Sequence, residues 1–110
     1  DLVQYFPDVA IVEIHNKHKK DAPSGTATYT AAKLSAARAN YHAEASLIPI
    51  SSIRLPGIVS QQQVIFGNAS ETITLRHDSI DRQSFMPGLC LACTKVVALH
   101  ELIYGLENII

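Results

Sequence analysis

No glycine-rich turn of the form G-x-G-x-x-G occurs in the 110 residues; the five glycines stand at 25, 57, 67, 88 and 105. They are too dispersed to cradle a dinucleotide pyrophosphate between a strand and a helix. No uninterrupted apolar run approaches the roughly 18 residues that cross a bilayer. No basic stretch followed by an apolar one opens the chain, so neither a membrane span nor a signal peptide is expected, and a cytoplasmic protein is. Cysteine is scarce. Cys90 and Cys93 form a C-x-x-C pair inside LCLACTKVV, with no second pair elsewhere. Zinc needs further ligands and a redox pair needs a loop, so both thiols are expected to pack as small, inert hydrophobes. Charge is sparse too, at 17% of residues with a formal net charge of -1. A sequence pI near 6.6 and the absence of any RNA or DNA motif argue against a nucleic-acid partner.

What is present is apolar: 47% of the chain is hydrophobic. That is enough for one core at this length but not for two domains. Residues 9–15 alternate, with Val9, Ile11, Glu13 and His15 on one face and Ala10, Val12 and Ile14 on the other. This pattern predicts a strand that delivers His15 at its end. Residues 24–40 are rich in alanine and carry Ala27, Ala31, Leu34 and Arg38 along one stripe behind Pro23, which predicts a helix capped by Ser24 and able to approach a sheet closely. Three more strands are expected over residues 48–55, 63–66 and 71–77, separated by turns at Pro56-Gly57 and Gly67-Asn68. Helical spacing of Leu89, Cys90, Cys93, Val96, Val97, Ile103 and Tyr104 predicts a last helix running from Pro87-Gly88 to Gly105. Strands and helices are partly segregated, which gives an α+β expectation: an open mixed sheet with helices on one face. The other face, around Ile65, would expose apolar side chains, and burial against another copy of the chain would cover them.

The unusual stretch is residues 13–28, EIHNKHKKDAPSGTAT, which gathers two histidines and three lysines before a helix start. The first turn of a helix offers unpaired N–H groups and the positive end of its dipole. Gly25 has no side chain to keep an anion away from them, Ser24 and Thr26 add hydroxyls, and Lys17, Lys19 and Lys20 add charge. His15 and Lys19 can converge on one ligand, the first as a proton donor near neutral pH and the second as a cation. The plainer alternative is that Ser24 only caps the helix and the lysines form a solvated face. A metal site is not expected, because His15 and His18 lack a third ligand at suitable spacing and the lysines repel a divalent cation.

The run from Glu13 to Ala27 closely resembles the signature E-x-H-H-x-x-K-x-D-A-P-S-G-T-A of the dihydrodipicolinate reductase (4-hydroxy-tetrahydrodipicolinate reductase) family. The resemblance continues through Arg82-Gln83-Ser84-Phe85-Met86-Pro87-Gly88, similar to R-x-x-F-x-x-G, and through Tyr104-Gly105-Leu106 to the end of the chain. It implies an oxidoreductase of lysine and diaminopimelate biosynthesis that passes a hydride from NADPH or NADH to a cyclic 2,6-dicarboxylate. It also implies that His15 and Lys19 are catalytic, that Asn16, Ser24, Gly25 and Thr26 bind substrate, and that residues 1–110 form a C-terminal substrate-binding domain whose sheet builds a homotetramer. No cofactor-binding residue is expected in this chain. The family's N-terminal Rossmann domain would hold the nucleotide, and the chain opens at Asp1 in what reads as the middle of an element. A piece of a longer protein is therefore expected, inactive by itself. A non-catalytic anion-binding or assembly module derived from the family is the alternative. Asn16 departs from the pattern, which has a second histidine there; Ser60 and Gln62 stand where glycine and histidine are expected.

Overall fold

The structure, a computed structural model, describes residues 1–44 and 47–110. It divides into two compact units, Asp1–Ser79 and Ile80–Ile110. The first contains α1 (Leu2–Tyr5), β1 (Asp8–Asn16), α2 (Gly25–Ala39), β2 (Ile50–Leu55), β3 (Ser60–Asn68) and β4 (Glu71–Ser79). The strands form one sheet in the order β2-β1-β3-β4. β1 runs parallel to β2 and antiparallel to β3, and β3 runs antiparallel to β4. The sheet is therefore mixed, and the parallel strands β1 and β2 are connected through α2.

The alternation in β1 sets which face is covered. Val9, Ile11 and Glu13 are buried while their neighbours are only half-buried. On that same face Val64 and Phe66 of β3, Val3 and Phe6 from α1 and its exit, Ile48 and Ala27 of α2 close one core. Ala27 is fully buried; its small side chain lets the helix backbone come close to the sheet. Ala31, Leu34 and Ala37 pack against the core from the same helix, and Arg38 is buried at the end of the predicted stripe. The opposite face carries half-buried Val12, Ile14 and Ile65 and exposed Ile53 and Leu55.

Boundaries moved where a turn could form by other means. β3 runs from Ser60 to Asn68, longer than residues 63–66, because ladder pairing with β1 and β4 carries Ser60, Gln61 and Gln62 as readily as apolar residues. The β3–β4 hairpin turns at Ala69 and Ser70 rather than at Gly67-Asn68. Gly67 and Asn68 still pair with Thr72 and Glu71, and the Asn68 side-chain oxygen accepts the Ala69 N–H at 2.8 Å, closing the turn two residues later. Pro56-Gly57 turns as expected, with Gly57 at φ 77°, a conformation that favours glycine.

In the second unit a 3₁₀ turn, Arg82–Phe85, is capped by the Asp81 carboxylate, which accepts the Gln83 N–H at 2.7 Å. It leads into α3 (Met86–Val96). Two expectations fail here. The helix stops at Val96 instead of continuing to Gly105: Ala98 and Leu99 donate to Lys95 and Val96, three residues back, which tightens the end into a turn. None of its residues is buried, so the apolar spacing beyond Val96 has no core in this unit to hold it helical. For the same reason Cys90 and Cys93 are exposed free thiols, not core residues. No helix among the described residues is long and apolar enough to cross a membrane.

Candidate functional site

The centre of the site is a residue to which the sequence reading gave no role of its own. Glu13 occupies an inward position of β1, between Ile11 and His15, and is fully buried. A carboxylate there is tolerated only if its lone pairs are satisfied. Oε1 accepts the Ser24 N–H at 3.1 Å and Arg54 Nη2 at 2.9 Å. Oε2 accepts Arg54 Nη1 at 2.9 Å and the Nδ1–H of His15. Burial by itself would raise the carboxyl's pKa. The Arg54 hydrogen bonds, with those from Ser52, His15 and the Ser24 backbone, outweigh it and bring the value from 4.5 down to about 2. Glu13 is thus an anion at any physiological pH, and in turn it raises the pKa of Arg54.

Three elements meet on this carboxylate because of strand register. Parallel pairing sets His15 beside Arg54 and Glu13 beside Ser52, and antiparallel pairing sets His15 beside Ser60. All of these side chains share the helix-covered face. His15 is consequently held at both ring nitrogens: Nδ1 by Glu13, and Nε2 by the Ser60 hydroxyl at 3.2 Å. With a carboxylate on Nδ1, that nitrogen carries the hydrogen, and Nε2 is the position that can gain or lose a proton.

The start of α2 is attached to the same centre. Ser24 is buried and is the N-cap; its hydroxyl accepts the Ala27 N–H at 3.2 Å while its own N–H is fixed on Glu13. The plain capping role is therefore filled. It leaves the next two amides uncovered. Gly25 and Thr26 are exposed, nothing lies within 4 Å of where a Gly25 Cβ would stand, and no acceptor meets either N–H among the described residues. The Thr26 carbonyl accepts the Thr30 hydroxyl at 2.8 Å, and Thr30 accepts from Gln62 at 3.3 Å, so the opening turn is also tied to β3.

The lysines divide. Lys17 and Lys20 are exposed, in keeping with a solvated face. Lys19 is half-buried, and its Nζ lies 2.9 Å from Asp21 Oδ1. That contact, the first cause of the shift, lowers the pKa of Asp21. The Asp21 carbonyl accepts Arg54 Nη2 at 2.7 Å. Lys19, Asp21, Arg54, Glu13, His15, Ser60 and Ser24 therefore belong to one hydrogen-bonded network. Asn16 stands at its margin: its side-chain oxygen accepts the His18 N–H at 3.1 Å and its carbonyl accepts the Lys19 N–H at 3.0 Å. It shapes the turn that presents Lys19. Among the described residues no group of three or more histidine, cysteine or acidic side chains is placed to hold a metal.

Arg54 and Ser60 carried no local motif, because their partners lie 41 and 45 residues away in the chain. Glu13 did leave a signal: an acid in the inward phase of an apolar alternation demands a buried cation.

A strand end and a helix start are thus joined in an α+β domain through a buried Glu–Arg–His centre, with uncovered amides and a lysine beside it. The family model described as "Dihydrodipicolinate reductase, C-terminus" matches residues 1–110, and the chain belongs to that family. A 4-hydroxy-tetrahydrodipicolinate reductase of Coxiella burnetii (strain RSA 493 / Nine Mile phase I) is 48% identical over 120 residues, covering 100% of this chain and 50% of the relative. The enzyme of the same name from Lactococcus lactis subsp. lactis is 48% identical over 121 residues, covering 96% of this chain and 46% of the relative. A solved dipicolinate-bound dihydrodipicolinate reductase from Paenisporosarcina sp. TG-14 superposes with a TM-score of 0.81 at 43% identity, covering 98% of this chain and 46% of that one. The chain spans about half the length of the relatives it matches.

Proposed function

We propose that this chain is the substrate-binding domain of an NAD(P)H-dependent reductase acting on 4-hydroxy-tetrahydrodipicolinate, a cyclic 2,6-dicarboxylate, in lysine and diaminopimelate biosynthesis in the cytoplasm. The observation that carries the reading is the single network in which His15, Lys19 and the Ser24 cap are fixed, with the Gly25 and Thr26 amides open beside it. One substrate carboxylate binds the helix start, where two N–H groups and the dipole favour an anion. Lys19 leaves Asp21 and neutralises charge on the substrate, and His15 handles the proton through Nε2. The Asn16 amide, opposite the oxygen that shapes the turn, supplies a neutral donor in place of an imidazole.

The nucleotide does not fit this chain. Among the described residues the one β–α–β crossover turns through residues 17–24, with a proline and no glycine, and gives no backbone cradle for a pyrophosphate. NADPH or NADH is assigned to a separate Rossmann domain, and positioning hydride against substrate is that domain's task. The sheet face bearing Ile53 and Leu55 supports assembly into a homotetramer.

The test separates the two catalytic assignments in the full-length enzyme. Lys19→Ala removes a cation facing a dianion, so affinity for pyridine-2,6-dicarboxylate falls by roughly 2 to 5 kcal/mol, as for other truncated charge pairs. His15→Ala binds that analogue nearly as well as the unaltered enzyme but turns over about 10²- to 10⁴-fold more slowly. Calorimetry and steady-state kinetics read the two effects. Equal analogue affinity in both variants returns Lys19 to the solvated face and supports instead a non-catalytic anion-binding or assembly module.

A further inference from the structure

Both ring nitrogens of His15 are occupied, and the two occupants are not equivalent. On Nδ1 sits Glu13, whose carboxyl is held down to about 2 by Arg54, Ser52 and the Ser24 N–H. That carboxylate accepts a hydrogen bond and stays unprotonated, so it orients the ring without taking its proton. On Nε2 sits the Ser60 hydroxyl at 3.2 Å. Ser60 is half-buried at the start of β3, opposite His15 on one side and buried Ser79 on the other. Ladder pairing on both flanks fixes its backbone, so its side chain is directed by the sheet rather than by a mobile loop. A proton that His15 exchanges with anything beyond the ring has Nε2 as its outlet, and at Nε2 the first atom it meets is Ser60 Oγ.

We propose that Ser60 is a proton-relay residue of this enzyme, its hydroxyl passing the proton between His15 Nε2 and the bound dicarboxylate. A hydroxyl suits that position because it donates and accepts at once. In the delivering direction, the Nε2–H bond of the imidazolium breaks as a new Oγ–H bond forms, and the original Oγ–H proton moves to the substrate. Ser60 ends as a neutral hydroxyl with its proton exchanged, and His15 ends as neutral imidazole still bonded to Glu13 through Nδ1. The side chain of His15 remains 16% exposed, and solvent re-protonates the His15–Ser60 pair between turnovers. No charge is left on serine at any stage, and no co-reactant is required.

The inference rests on the reductase reading, and the experiment distinguishes their failures. Turnover, affinity for pyridine-2,6-dicarboxylate and the solvent isotope effect are measured in the full-length protein with Ser60 unaltered and as Ser60→Ala, Ser60→Gly and Ser60→Thr. With Ser60 unaltered, turnover in mixed light and heavy water follows a curved dependence on deuterium fraction, as two protons move in one step. Ser60→Ala and Ser60→Gly keep analogue affinity within about twofold, lower turnover by about 10²-fold, the lower end for a lost acid–base contribution, and give a linear dependence. Ser60→Thr, which keeps the hydroxyl, restores most of the turnover and the curvature. Turnover in Ser60→Gly or Ser60→Ala equal to or above that of the unaltered protein overturns the relay alone, as does an unchanged curve in Ser60→Ala. No reduction of the dicarboxylate by the unaltered full-length protein overturns the reductase reading, and the relay with it.

Discussion

Replacing Glu13 by glutamine keeps the size of the side chain and removes only its charge, and the geometry leaves the amide no good orientation. Each carboxylate oxygen accepts from at least two donors: Oε1 from Ser24 N–H and Arg54 Nη2, Oε2 from His15 Nδ1 and Arg54 Nη1. Whichever way the amide is turned, its NH₂ faces two donors in a fully buried position. Breaking a buried, hydrogen-bonded pair in this way costs about 3 to 5 kcal/mol. The titration of Glu13 gives an independent scale. Its carboxyl is lowered from 4.5 to about 2, and at roughly 1.4 kcal/mol per pH unit that gap is worth about 3 kcal/mol. The sign follows from the depressed value: this stabilisation is present in full above pH 4.5 and is lost as pH falls through 2. Urea denaturation of the chain and of Glu13→Gln at pH 7 and at successively lower pH reads both quantities. At pH 7 the variant is expected to be less stable by at least about 3 kcal/mol, and the gap should narrow between pH 4.5 and 2 because only the parent titrates at residue 13. A difference below about 1 kcal/mol at pH 7, or a gap that does not change with pH, would refute the reasoning.

Two further outcomes follow from the same network. Asp21→Asn frees Lys19 from an exposed ion pair worth about 0.2 to 1 kcal/mol, so the full-length protein should bind pyridine-2,6-dicarboxylate up to roughly fivefold more tightly by calorimetry; weaker binding would show that Asp21 holds Lys19 in place for the ligand instead of competing with it. Ser24→Ala removes the cap hydrogen bond to the Ala27 N–H but keeps the backbone bond to Glu13, and should cost about 1 kcal/mol of stability. An unchanged denaturation midpoint would mean that water replaces the hydroxyl at no loss.

Local pattern was enough for the elements whose own residues decide them. The alternation of Val9, Ile11, Glu13 and His15 set the inward face of β1, because a strand's side chains alternate whatever it pairs with. Pro23 and Ser24 announced the start of α2, and Ala27 to Arg38 marked its buried stripe, since capping and helical period act within a few residues. The stretch from Glu13 to Thr26 likewise singled out the histidine, the lysine and the helix start that the structure joins in one network. Where the outcome depended on a partner far along the chain, the sequence had no purchase. It read an apolar stripe to Gly105 and buried cysteines, but α3 ends at Val96 with Cys90 and Cys93 exposed, because periodicity becomes a long helix only where a core receives it. It treated Glu13 as part of a motif and did not pick out Arg54. Sheet register alone places Arg54 and Ser60 on either side of His15, converting an isolated acid, a distant arginine and a serine into the frame that holds the ring. Composition and period act over a turn of helix or a few strand residues; a buried charge is satisfied only by the chain that folding brings back to it, and that choice belongs to the tertiary structure.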